Sequence, residues 1–338
     1  MASNAAPGGI FKTESLRKMV YPRVFSSPVI IGNQIYVVGG CDQMGQPVDS
    51  FEVYDVNKNK WTSLQNMPTK RAAPAVGVVG DQIIVIGGVG DAQQPVSAVE
   101  CYNIKDKKWT EMESLPSGRL GISTVLRDGK VLAVGGNGAD TNPFDAVSAI
   151  NVEENKVGKD PCLALEVFDF QTEKWRQLPP VPSKRVFAMY AATDKHIFSI
   201  GGLIQPGNKG FSDACEVFDL EKEEWKIGKS LPTRRGDFAI TVIAGKVVCA
   251  GGLGNKGAPM DVVELYDVVE DEWSTAPPMP LAHCSCAFIQ HGGKLYIFGG
   301  LSPQGPTNCA EKISYLEEGE EESGKRAAGK AGNKKKNR

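Results

Sequence analysis

Residues 34–61 read QIYVVGGCDQMGQPVDSFEVYDVNKNKW, and the same arrangement returns along the chain. A short β-branched and aromatic run ends in Gly39-Gly40. Equivalent pairs stand at Gly87-Gly88, Gly135-Gly136, Gly201-Gly202, Gly251-Gly252 and Gly299-Gly300, and four of the five intervals are 48 or 50 residues. A period of this length marks a repeat whose unit is one small sheet.

Each unit has the same internal order. Gln34 to Val38 is of strand length and is stopped by glycines that allow positive φ or close backbone approach. Phe51-Glu52-Val53-Tyr54 alternates with period two, as a half-buried third strand does. Asp55 to Lys60 then reads as a hairpin into a short outer strand headed by Trp61. Trp61, Trp109, Trp175, Trp225 and Trp273 each have a glutamate nine residues upstream, an aromatic seven upstream and a proline seven downstream. Three positions beyond the proline stand Arg71, Arg119, Arg185, Arg235 and His283, each 16 residues ahead of the next glycine pair, as Arg23 is of the first. The indole suits the space between neighbouring sheets. Arginine and glutamate columns filled in every unit suit contacts that hold strands together rather than a shared anion site.

This pattern, from Phe11 to Leu316, resembles the kelch repeat. The resemblance implies one all-β domain, a six-bladed kelch β-propeller closed by an N-terminal outer strand. After Gly300 a third strand is expected at Glu311 to Leu316 with no tryptophan behind it, whereas Phe11-Lys12-Thr13-Glu14-Ser15-Leu16 resembles Trp61-Thr62-Ser63-Leu64. The N-terminal segment is therefore expected to complete the last sheet and remove an exposed edge. Residues 1–9 read as a disordered N-terminus, 10–316 as the propeller, and 317–338 as a disordered tail, acidic and then basic. The third unit carries 18 extra residues between glycine pair and tryptophan, read as an expanded loop over about 137–162 or an extra hairpin, with Ala146 to Ile150 as a decayed third strand in the alternative.

Composition narrows the setting. The 338 residues carry a formal charge of −2, and without the tail the body is still net acidic, which gives no footprint for nucleic acid. No basic segment leads into an apolar stretch near the N-terminus, and no run approaches the ~18 apolar residues of a membrane span. A cytoplasmic protein is expected, with Lys325-Arg326 and Lys334-Lys335-Lys336 as a candidate nuclear-import signal. The eight cysteines fall in different columns and read as small buried residues. His283-Cys284-Ser285-Cys286 has metal-ligand residue types, but strand alternation would send Cys284 and Cys286 to one face and His283 to the other, so these are read as core. His196 and His291 stand at hairpin-like positions. No catalytic, cofactor or metal motif is recognised.

The resemblance also implies where a partner would sit. In kelch modules that bind peptides, contacts come from the residue after the glycine pair and the two after the repeat arginine, all at one mouth. Here the first set is Cys41, Val89, Asn137, Leu203, Leu253 and Leu301; the second is Val24-Phe25, Ala72-Ala73, Leu120-Gly121, Val186-Phe187, Gly236-Asp237 and Cys284-Ser285. Phe25, Phe187, Val186, Leu203, Leu253, Leu301 and Val89 would form an apolar rim with Asp237 as its one acid, which suits a protein segment. The resulting expectation is a monomeric, non-catalytic scaffold or adaptor, with cytoskeletal or ubiquitin-ligase components as candidate partners and no membrane. The alternatives are the substrate-recognition subunit of a ubiquitin ligase and a sialidase-like or oxidase-like propeller enzyme. Gly236-Asp237-Phe238, Gly251 to Asn255 and His283 to Cys286 resemble the kelch domain-containing protein 8 subgroup, which carries seven units against six here.

Overall fold

The computed structural model describes residues 9–127, 130–134, 146–151, 156–161, 166–169, 174–183, 185–204 and 210–317. Its first unit shows how the repeat folds. Strands Ser27–Ile31, Gln34–Val38, Phe51–Asp55 and Lys60–Ser63 pair in that order, each antiparallel to the next. Tyr54 lies opposite Trp61, so the two rings share a face with centroids 5.0 Å apart. Trp61 then meets Phe298 of the last unit edge-on at 5.1 Å, and Trp109 meets Phe51 of the unit before it at 5.2 Å. The indoles are thus wedges between sheets. Four of the five also donate from Nε1 to a carbonyl of the preceding segment: Trp61 to Arg17, Trp109 to Gln65, Trp225 to Pro179 and Trp273 to Lys229, at 2.7 to 2.9 Å.

Six four-stranded sheets occur among the described residues. In the last, Ala287–His291 and Lys294–Phe298 are followed by Ala310–Glu317, and its outer position is taken by Gly9–Ser15. These two terminal strands pair from Gly9 opposite Glu317 to Ser15 opposite Glu311. Phe11 is buried there among Ile313, Val263 and Leu265, while Ile10 on the other face is exposed.

The third unit holds strands where the sequence reading offers a loop, an extra hairpin or a decayed third strand at Ala146 to Ile150. Ala146–Asn151 pairs with Lys130–Val134 and takes the third position, and Lys156–Pro161 takes the outer one. Glu166–Asp169 and Lys174–Gln177, which carry the repeat's glutamate and Trp175, form a separate two-stranded sheet. The pair Gly135-Gly136, Asn137, Cys162 and the segments 1–8 and 318–338 lie outside the described residues.

Sheet follows sheet through the glycine pairs. The second glycine donates its N–H to the carbonyl of the next unit's arginine or histidine: Gly40 to Arg71, Gly88 to Arg119, Gly202 to Arg235 and Gly252 to His283, at 2.8 to 3.0 Å. Gly300 makes the same bond to Arg23, from the last unit back to the first, at 2.9 Å. A Cβ on Gly39 would lie 2.4 Å from the Arg71 carbonyl, and φ there is +62°, so both space and backbone demand glycine.

Candidate functional site

The repeat arginines are structural. Arg23 and Glu52 pair at 2.8 Å, Arg71 and Glu100 at 2.5 Å, and Arg235 and Glu264 at 2.8 Å, with side chains 2% exposed or less. Arg185 pairs equally closely with Glu216. Each arginine also donates to carbonyls of its own sheet, as Arg71 does to Gly87 and Ala98. Thr69 and Thr233, two residues before their arginines, donate to the glutamates' second oxygens at 2.5 and 2.7 Å, and Ser183 does so to Glu216 at 2.5 Å. Burial pushes the Arg23 guanidinium down to about 10 and the Glu52 carboxyl up, each resisted by the other's charge. Arginines occupied in this way present no converging anion site, and Arg119 is buried as well.

A second column lies two residues after the arginine, and all six of its members have positive φ: Phe25 (54°), Ala73 (45°), Gly121 (65°), Phe187 (55°), Asp237 (55°) and Ser285 (52°). Left-handed backbone is strained for a phenylalanine and persists only where its surroundings impose it. The surroundings here are hydrogen bonds between neighbouring units. Asp237 N–H donates to Phe187 O at 3.2 Å, Phe25 N–H to Ser285 O at 3.1 Å, and Ala73 N–H to Phe25 O at 2.7 Å. The Ser285 hydroxyl closes on the Asp237 carboxylate. Five of the six residues thus belong to one hydrogen-bonded arc. Burial pushes the Asp237 carboxyl up against the opposing effect of the Ser285 bonds.

On this arc Phe25 is 45% and Phe187 61% exposed, and Leu301 on the adjoining loop is 38% exposed. Two pockets lie on inner segments. One of about 460 Å³ is lined by Tyr21, Pro22, Arg23, Met44 and neighbours, and one of about 440 Å³ by Tyr190 to Asp194, Ile240 to Val242 and Gln290.

Residues 12–162 match the KLHDC2/KLHL20/DRC7 Kelch-repeats domain family, and residues 234–280 match the Kelch motif. The chain carries kelch repeats. It is 38% identical over 112 residues to Kelch domain-containing protein 8B of Rattus norvegicus and of Mus musculus, covering 30% of this chain and 32% of each relative. The Homo sapiens protein of the same name is 36% identical over 115 residues, covering 31% of this chain and 32% of its own. The match thus spans about a third of the curated relatives' length. Among solved structures, the one titled "Structure of YjhT" superposes with a TM-score of 0.63 at 17% identity, over 88% of this chain and 97% of its own, which shows the fold alone. No helix among the described residues is long and apolar enough to cross a membrane.

The kelch mouth residues are brought together in pairs. The residue after the glycines bridges the residue after the arginine in the same unit: Cys41 with Val24, Val89 with Ala72, Leu203 with Val186, Leu253 with Gly236, and Leu301 with Cys284. Val24, Ala72, Gly236 and Cys284 are buried, and Val89, Leu203, Leu253 and Asp237 are half-buried. Among the described side chains of this set, the exposed apolar groups are therefore Phe25, Phe187 and Leu301 rather than the three leucines together. The kelch alternation also fails at the sixth unit. Cys286 lies beside His283, not on the opposite face, with Sγ 3.1 Å from Nδ1. Left-handed Ser285 turns the chain between them, and the regular strand begins only at Ala287.

Proposed function

We propose that this protein is a non-catalytic interaction module that docks a partner protein on the face carrying the left-handed arc. The observation that carries the reading is the pair Phe25 and Phe187, large aromatics held outward in a backbone conformation that phenylalanine resists. Exposed aromatics on a rigid backbone lose little entropy on binding and are the usual anchors of interfaces. Kelch repeats generally serve protein–protein contacts, which agrees with this use. The role is that of an adaptor in the cytoplasm; recruitment of a client to a ubiquitin ligase is the more specific version.

The test compares the tagged full chain with Phe25→Asp/Phe187→Asp, using Val269→Asp, a change on an exposed hairpin, as the control. Aspartate tolerates left-handed backbone better than phenylalanine, so the double variant should melt no lower than the parent. Partners recovered from cells by the parent and the control should be lost from the double variant. Retention of the same partners by a folded double variant would move docking elsewhere. Ligase subunits among the lost partners would select the more specific version.

A further inference from the structure

The sixth unit departs from the repeat at three positions at once. Histidine stands in the arginine column. Cys286 stands three residues on, where other units have Ser26, Pro74, Ile122, Ala188 and Phe238. Cys309 stands two residues before the glutamate, where others have Ser50, Ala98, Ala214 and Val262. These three changes meet at one point. Cys286 Sγ lies 3.1 Å and Cys309 Sγ 3.4 Å from Nδ1 of His283. The carbonyl of Gly299 is 2.8 Å from the same nitrogen and 3.4 Å from the Cys309 sulfur. Behind the ring, Nε2 faces the Glu311 carboxylate at 3.3 Å. His283, Cys309 and Glu311 are all buried, and Cys286 is half-buried.

We infer that His283, Cys286 and Cys309 bind a thiophilic metal ion, Zn²⁺, with Glu311 holding the imidazole from behind. In a tetrahedral zinc site the bond lengths to nitrogen and sulfur put N and S ligands about 3.6 Å apart. The two N–S separations here fall slightly inside that, and His283, Cys309 and Glu311 already hold one donor atom each within 4.8 Å of one another, so Cys286 joins His283 and Cys309 by a turn of its thiol. A carboxylate on the second ring nitrogen is the arrangement that orients a ligating histidine and keeps its proton on that side. Two thiolates and an imidazole select Zn²⁺ or Cu⁺ over hard cations, and the Gly299 carbonyl lies where a fourth donor would stand. On binding, each thiol and Nδ1 give up a proton to solvent, and the two thiolates balance the dication. A histidine acting merely as a substitute for arginine needs the Gly299 carbonyl and Glu311; it does not require a sulfur at each side of Nδ1. The ion would fasten the turn before the inner strand to the start of Ala310–Glu317, the strand that receives the N-terminal one.

The full chain, reduced and stripped of metal with a chelator, is titrated with Zn²⁺ against a chromophoric chelator, and separately with Co²⁺. One equivalent of Zn²⁺ and a sulfur-to-cobalt charge-transfer band are expected. His283→Arg restores the residue of the other units and its partner Glu311, so it should melt like the parent while losing the equivalent. Cys286→Ser should lose it too, and Glu311→Gln should weaken it by about 10–100-fold. A parallel Cu⁺ competition identifies the ion: uptake of Cu⁺ in place of Zn²⁺, lost in the same variants, keeps the site and changes its occupant. No stoichiometric uptake of either ion by the reduced protein overturns the assignment. So does full retention by Cys286→Ser, or by a folded His283→Arg.

Discussion

Arg71 and Glu100 form an ion pair with side chains at most 1% exposed, so removing one charge strands the other away from water. Arg71→Met is expected to lower stability by about 3–5 kcal/mol, whereas Arg71→Met with Glu100→Leu should recover most of the loss. Urea denaturation of the parent, both single variants and the double gives the coupling directly. A midpoint unmoved by Arg71→Met would show that the column does not hold the sheet together. The arginine and glutamate columns are legible in the sequence because the same side chains recur at fixed offsets. Positive φ at Phe25, Phe187 and Ser285 is not, since none of these residue types signals it; the hint lay in Gly121 and Asp237, which occupy the same column. For that reason His283 and Cys286 are misplaced by strand alternation, and the cluster around them emerges only in three dimensions.

Among the strands, Gly9–Ser15 is the one whose partner is farthest away in sequence, and its alternation makes a sharp contrast. Phe11→Ala empties a buried position beside Ile313 and Val263 and should cost about 3–5 kcal/mol, while Ile10→Thr, on the exposed face, should change stability by less than about 0.5 kcal/mol. Thermal and urea midpoints of the two variants check this. Equal effects would mean that the strand is not seated by its inner face. The strand is foreseeable because Phe11 to Leu16 repeats the chemistry of Trp61 to Leu64 and no tryptophan follows the last unit's third strand in the sequence. The third unit is less so. Glu166, Phe168 and Trp175 carry the full repeat signature, yet among the described residues Glu166–Asp169 pairs with Lys174–Gln177 alone, and Ala146–Asn151, with neither glutamate nor tryptophan in it, occupies the sheet. Signature residues report which two strands form a hairpin, not which sheet the hairpin joins.

For the molecule as a whole, the same glycine-to-carbonyl bond links one unit to the next at Gly40, Gly88, Gly202 and Gly252, and Gly300 to Arg23 repeats it between last and first. The described chain therefore begins and ends at one place, with Gly9 opposite Glu317. A circular permutant joining these two residues through about four residues, and opened at the exposed turn between Lys105 and Asp106, should fold in a single transition. Its melting temperature should fall within about 1–2 °C of the parent's, the shift expected for about 1 kcal/mol in a chain of this size. Calorimetry of the permutant decides the matter, and an unfolded or multiphasic product would show that the original order of synthesis is needed to assemble the sheets.

The pairing of Gly9 with Glu317 also sets how the molecule answers a pull. In an antiparallel pair held at the end where one strand starts and the other finishes, tension acts across the ladder and opens its bonds one after another rather than all at once. A load entering through the two ends would peel Gly9–Ser15 from Ala310–Glu317 at low force, baring Phe11 and Ile313 while the other five sheets stay whole. Resistance to heat and resistance to stretching are thus separate properties in this protein, and the seam at its ends is where a mechanical signal would first be felt.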